Sequence, residues 1–376
     1  MFNKHHKQGS EAFDRGRYLD AKHFLLLAIG VNPETPESYF LLGKACFLYD
    51  EQNEALVYLK KYIELKGDDL EDVANVSYAF DLLGQCYGGS NTAKALKCYK
   101  TATQINPSCA SAWHNRGLLY IKSAQYFLEK NRKRAVSLFA VALFSLKNAL
   151  DLGGDNPMFF QGVASWYEQY IEALTGETTE IVTGHFKLAL EYYRKALSAC
   201  HEQDVGLKNI IIENFAECLA QCGHHLYKNQ DYPRAQILYL EALTLDPDHL
   251  IVLNQIGMSL VKQNKHLDAR QYFLTILEKT EDKQEHADAW LNIACTYRLE
   301  KNWVEAEKAL DKAKKLAPQD ESIREEEATL ITLKTYSDSA NAIYSEGFKK
   351  SNNSTFWQSI KPLAHKESHF INARFG

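Results

Sequence analysis

Along this chain a small residue recurs with a large one four positions later and, often, another small one seven positions later. Ala21, Leu25 and Ala28, followed by Pro33, return 34 residues on as Ala55, Leu59 and Tyr62, followed by Gly67. Gly9 and Gly43 keep the same step upstream. Towards the other end, Ala235, Tyr239, Ala242 and Pro247 return as Ala269, Phe273 and Ile276, with Gly223 and Gly257 in step. Spacings of four and seven put these positions on one face of a helix. A fixed period of this length marks a repeat architecture, in which one helical unit stacks on the next.

Two further units share a longer signature. One reads Phe80, Leu83, Gly84, Tyr87, Ala95, Tyr99, Ala102, Pro107, and the other Trp290, Ile293, Ala294, Tyr297, Ala306, Leu310, Ala313, Pro318. The first half appears again at Trp113, Gly117 and Tyr120. This pattern resembles the tetratricopeptide repeat family, whose unit carries W-x2-L-G-x2-Y, then A-x3-F, then Ala and Pro. The resemblance implies an all-α, right-handed superhelix (an α-solenoid) of seven to eight helix-turn-helix repeats with a C-terminal capping helix. Small residues at the eighth and twentieth positions let helix A approach helix B, and large ones fill the gaps between pairs. Proline at the thirty-second stops helix B, because it lacks an N–H and clashes with the preceding turn.

In that register the units fall at 2–35, 36–69, 77–109, 110–157, 158–202, 216–249, 250–283 and 287–320. Residues 2–109 hold repeats one to three, 110–202 two atypical repeats and 216–320 repeats six to eight. In the fourth, helix B (Ala142, Leu146, Ala149) comes 13 residues later than expected after Gly117. The fifth has a clear helix B (Ala189, Tyr193, Ala196) but only Phe160 and Trp166 to mark helix A. Lengthened helices are expected around 124–134 and 176–184, the alternative being a loop at Gly176–Gly184. Residues 321–348 read as a capping helix with Asp320 as its N-cap, and 349–376 as a loosely ordered tail.

Composition agrees with helices. Glycine and proline number 19 and 8 in 376 residues, too few for a turn-rich β fold. The net charge of −5 offers no global field for nucleic acid or an anionic membrane. The apolar run Ala135–Leu146 is short of the roughly 20 residues that span a bilayer, so a membrane contact would be peripheral at most. Residues 1–25 show no secretory leader pattern, and the eight cysteines form no compact disulfide framework; a reducing cytoplasm is the expectation.

In the resembled family, helix A carries ligand contacts at set positions. Carried over, these are Gln221, His224, Tyr227, Lys228, Asn254, Gln255, Lys262, Asn292 and Arg298 near the C-terminal end. Asn and Gln can pair with an extended peptide backbone, and the cations with carboxylates. The N-terminal set is more apolar: Phe40, Leu41, Lys44, Phe47, Leu48 and Tyr78, suited to a helix or an aromatic anchor. The family's carboxylate clamp for chaperone tails is absent. Its positions hold His6, Ser10, Leu41, Tyr78 and Leu82 in repeats one to three, and Ala220, His224, Gln255, Asp288 and Asn292 in repeats six to eight.

Cys218, Cys222 and His225 share a helix face, but no further pair completes a metal shell, so neither metal nor cofactor is expected. The run Lys130–Arg134 is read as a solvated turn, with lipid headgroups or phosphate as its alternative partners. Nucleotide-binding, zinc-protease and serine-hydrolase motifs are missing from the sequence. The reading is thus a non-enzymatic adaptor or scaffold that captures a peptide or helix of another protein in the concave groove. Its alternatives are a structural subunit using the convex face and an RNA-binding helical repeat.

Overall fold

The computed structural model describes residues 1–67, 72–174 and 176–349, with side chains described as far as residue 339. All but the first residue of the tail therefore lie outside the described residues. The helices in order are α1 (Phe2–Asp14), α2 (Tyr18–Val31), α3 (Pro36–Leu48), α4 (Gln52–Lys66), α5 (Val73–Gly88), α6 (Thr92–Ile105), α7 (Ala110–Leu128), α8 (Arg132–Gly153) and α9 (Pro157–Tyr170). A short 3₁₀ turn over Ile171–Leu174 precedes α10 (Thr179–Ala199), α11 (Val205–Lys228), α12 (Tyr232–Leu245), α13 (Leu250–Lys262), α14 (His266–Lys279), α15 (Lys283–Leu299), α16 (Trp303–Leu316) and α17 (Glu321–Lys349). The chain divides into two compact units, Met1–Ile211 and Ile212–Gly376.

Local sequence explains where these helices begin and end. Side chains of Asn91, Asn131, Asp231 and Asn302 cap α6, α8, α12 and α16 by accepting from a backbone N–H in the first turn. Helices α2, α6, α12 and α16 stop two residues before Pro33, Pro107, Pro247 and Pro318. Proline cannot continue the ladder and pushes the residue before it towards extended backbone. Asp320 accepts from the N–H groups of Ser322 and Ile323 and caps α17, as expected.

The turn within five of the pairs follows a second rule, one that residue type does not reveal. Gly16, Asp50, Gln230, Asn264 and Lys301 all have φ between 59° and 71°, and each is the fifteenth residue of its repeat. At each, the next N–H reaches back to close the helix, as in Glu51 to the Cys46 carbonyl and Asn302 to that of Tyr297. Left-handed backbone at a helix C-terminus is the usual device for turning the chain while satisfying its last carbonyls.

Packing within a pair rests on one recurrent contact. Large residues of the second helix, among them Leu25, Leu59, Tyr239 and Phe273, are completely buried. Burying such a side chain stabilises by roughly 1.5–3 kcal/mol. Each lies against a glycine of the first helix. A Cβ on Gly84 would come within 2.4 Å of the Tyr99 ring, and one on Gly257 equally close to Phe273.

The 13 extra residues of the fourth repeat are taken up as helix on both sides of the turn. α7 and α8 are 19 and 22 residues long, and Leu146 still meets Gly117. α10 runs 21 residues and begins at Thr179, so most of the Gly176–Gly184 stretch is helical. By length and composition α8 could cross a membrane, which the twelve-residue apolar run did not suggest. Its Ala135, Phe139, Ala142, Leu146 and Ala149 are completely buried in the repeat core; Trp166 of α9 donates to the Phe139 carbonyl at 2.7 Å.

Candidate binding faces

In the C-terminal unit, contacts link the first helices of three successive repeats. His224 of α11 is half-buried and lies beside Gln255 of α13; its ring is nearly parallel to Tyr227, at 6.5 Å and 7°. Burial, with Lys228 nearby, holds the imidazole below its ordinary pKa. Between α13 and α15, the Asn292 amide donates to the Asn254 carbonyl at 2.8 Å. Asn254 in turn turns its own N–H towards the Met258 sulfur at 3.7 Å, a weak acceptor.

Two groups on this face are under-satisfied. The Gln255 Oε1 is buried without a hydrogen-bond partner, and a buried polar atom of this kind asks for an explanation. Lys262 is half-buried, and burial lowers its pKa. Lys228 and Gln221 are exposed, the latter donating to Glu217 at 3.1 Å.

Other predicted positions lie deeper than helix position alone indicates. Tyr227 is buried, and its hydroxyl is pushed up to about 12 by that burial. Asn292 is 6% exposed. Arg298 is a correction to the expected surface cation. It is 3% exposed, and its Nε lies 2.5 Å from Glu326 of α17. The terminal helix covers the position a following repeat would take, so this guanidinium binds the cap.

In the N-terminal unit, Lys44 of α3 sits among aromatic rings of three helices. Its Nζ is 5.0 Å from the centroid of Phe13, 5.4 Å from Phe40 and 5.5 Å from Tyr78, contributed by α1, α3 and α5. Such rings attract a cation through their negative faces. Phe40 also packs 4.8 Å from Tyr62. Phe47 is half-buried against the core, whereas Leu48 is half exposed. Sequence reasoning missed Phe13, although its place near the end of helix A could have indicated it.

The metal-ligand pattern at Cys218 and Cys222 meets buried thiols, Cys222 being pushed up to about 12 by burial. Among the described residues, the one trio with ligand atoms close together is Cys46, Glu51 and Glu54. There the Lys22 ammonium already holds both carboxylates, at 2.6 and 2.8 Å. Two clefts open between successive second helices. One, of 530 Å³, is floored by Trp290, Ile293 and Tyr297, with Lys312 3.7 Å above the Trp290 ring. The other, of 260 Å³, is floored by Phe80, Leu83 and Tyr87. Both floors come from the fourth, seventh and eleventh positions of a repeat.

A family model described as tetratricopeptide repeat matches residues 223–279 and 254–321. No curated protein matches by sequence. Among solved structures, the C-terminal part of a TPR repeat-containing protein from Cytophaga hutchinsonii is 18% identical. That match covers 76% of this chain and 98% of the other, with a TM-score of 0.54. A thermophilic TPR protein of Thermus thermophilus is 24% identical over 58% of this chain and 99% of its own, with a TM-score of 0.39. The 34-residue step and the paired helices agree with the family match, and residues 223–321 carry tetratricopeptide repeats.

Proposed function

We propose that this protein is a non-enzymatic adaptor that takes an extended, acidic segment of another protein across α11, α13 and α15. The observation that carries the reading is the Gln255 carbonyl, buried on a helix face that otherwise presents amides and cations and with the His224 ring as its neighbouring donor. A peptide N–H would satisfy it. The Asn254 amide, held by Asn292 and otherwise turned only to a sulfur, is placed to donate to the next peptide carbonyl. Amides at this spacing favour a backbone over a particular side chain. Lys228 and Lys262 supply positive charge at this end, which favours acidic residues in the ligand. Because the helices are already packed, most of the ordering cost falls on the peptide, and micromolar binding is within reach.

The test selects peptides from a random display library against the full chain and measures their affinities. Asn254→Ala and Gln255→Met are each expected to weaken the selected peptides by roughly tenfold, the loss of one or two buried hydrogen bonds. Gln255→Met is expected to leave the melting temperature almost unchanged, because it removes a buried acceptor with no well-aligned internal hydrogen bond. Unchanged affinity in both variants would remove the site from this face.

A further inference from the structure

Residues 82–150 contain ten lysines and arginines and a single carboxylate, Glu129, in a chain whose net charge is −5. Of these ten cations, all but Arg116 are exposed. The concentration is therefore a property of the surface and not of buried ion pairs.

Within this stretch, α8 is apolar on two sides. Its inner row is sealed in the repeat core, as described above. A second row, Val136, Ala140, Val141 and Phe144, faces outward, with Val136 and Val141 each 36% exposed and Phe144 58%. At 1.5 Å per residue the row is about 12 Å long. Lys133 stands one turn before it and Lys147 one turn after, both exposed. An apolar side of a helix is normally covered, and here the described residues cover the inner of the two.

We propose that the outward side of α8 docks on an anionic lipid surface. The charge pattern selects this occupant: a short apolar row bracketed by cations lets the apolar groups enter the acyl boundary while lysine stems reach up to the phosphates. Each cation near an anionic leaflet adds to that attraction, and salt weakens it. A nucleic acid would use the cations but not the row. The aromatic faces it would stack on are also occupied: Lys130 lies 3.6 Å over Tyr126, and Arg116 4.7 Å over Trp113.

The experiment is co-sedimentation of the full chain with vesicles of phosphatidylcholine alone, or mixed with phosphatidylserine at roughly 7:3. Binding to the mixed vesicles is expected to exceed binding to the neutral ones at least about tenfold, and to fall as salt rises from about 0.1 M to about 0.5 M. The double variant Lys133→Glu, Arg134→Glu is expected to lose roughly tenfold or more, and Phe144→Ser several-fold. All three side chains are exposed, and an unchanged melting temperature identifies a folded variant. Lys147→Glu, at the far end of the row, gives an independent readout if either variant fails to fold. Equal sedimentation with the two vesicle types overturns the proposal. So does a folded Phe144→Ser that binds like the parent, or binding to single-stranded RNA in the absence of vesicle binding.

Discussion

A methyl group is too large for the space between Gly257 and the ring of Phe273, where an added Cβ would sit 2.4 Å from the nearest ring atom. Gly257→Ala is accordingly expected to cost roughly 1–3 kcal/mol, as overpacking of a well-filled core does, read from urea denaturation. A second residue-scale effect depends on pH. His114 is 4% exposed, its Nδ1 is buried without a partner, and burial lowers its pKa to about 4. In the unfolded chain it titrates near its ordinary value of about 6.5, so between these values the unfolded state binds the proton more readily. Stability linked to His114 is complete above about pH 6.5 and declines as the pH falls towards 4, by up to roughly 3 kcal/mol. His114→Gln is expected to narrow the difference in unfolding free energy between neutral and mildly acidic solution. An unchanged difference would mean that His114 is not the titrating group. The packing glycines were legible because they recur with their partners every 34 residues. His114 carried no such signal, since its burial depends on a neighbouring helix, α9, whose own pattern is the weakest in the chain.

At the scale of the element, the terminal helix is held by a charge pair with almost no access to water: the side chains of Arg298 and Glu326 are 2% and 5% exposed. Glu326→Ala strands the guanidinium and is expected to cost roughly 3–5 kcal/mol, whereas replacing both partners with apolar residues costs far less. Amide hydrogen exchange over the first turns of α17 distinguishes the two outcomes, accelerating only in the single variant. The same pair shows what sequence could not convey. Repeat position gave Arg298 only a direction off its own helix, and which helix covers that direction is decided by α17, outside the repeat. Lys44 is similar. Its position was readable, yet its ring of Phe13, Phe40 and Tyr78 assembles from three repeats. The left-handed residue in five of the turns was not legible, because Asp50, Gln230, Asn264 and Lys301 share a conformation without sharing a residue type. Helix lengths were partly legible: a 13-residue offset between two packing motifs pointed to added turns but left a loop open, and α7 and α8 take it up as helix.

At the scale of the molecule, the governing fact is that within each unit the described helices in substantial contact lie within two places of each other in chain order. Stability in such an array is close to a sum of units and their nearest interfaces. Unfolding by urea is therefore expected to give transitions that do not coincide between far-ultraviolet circular dichroism and tryptophan fluorescence. Single-tryptophan variants keeping Trp166 or Trp290 report on the N-terminal and C-terminal units separately. Superimposable curves would mean that the repeats unfold as one. The neighbour-only pattern also bears on how such a chain can change over generations. A substitution that reshapes the amide face of α13 alters its own repeat and the adjoining ones, and the strain stops there. The lysine ringed by aromatics on α3 and the apolar side of α8 can each drift under different selection, so one chain can lose an old partner at one end while keeping another elsewhere.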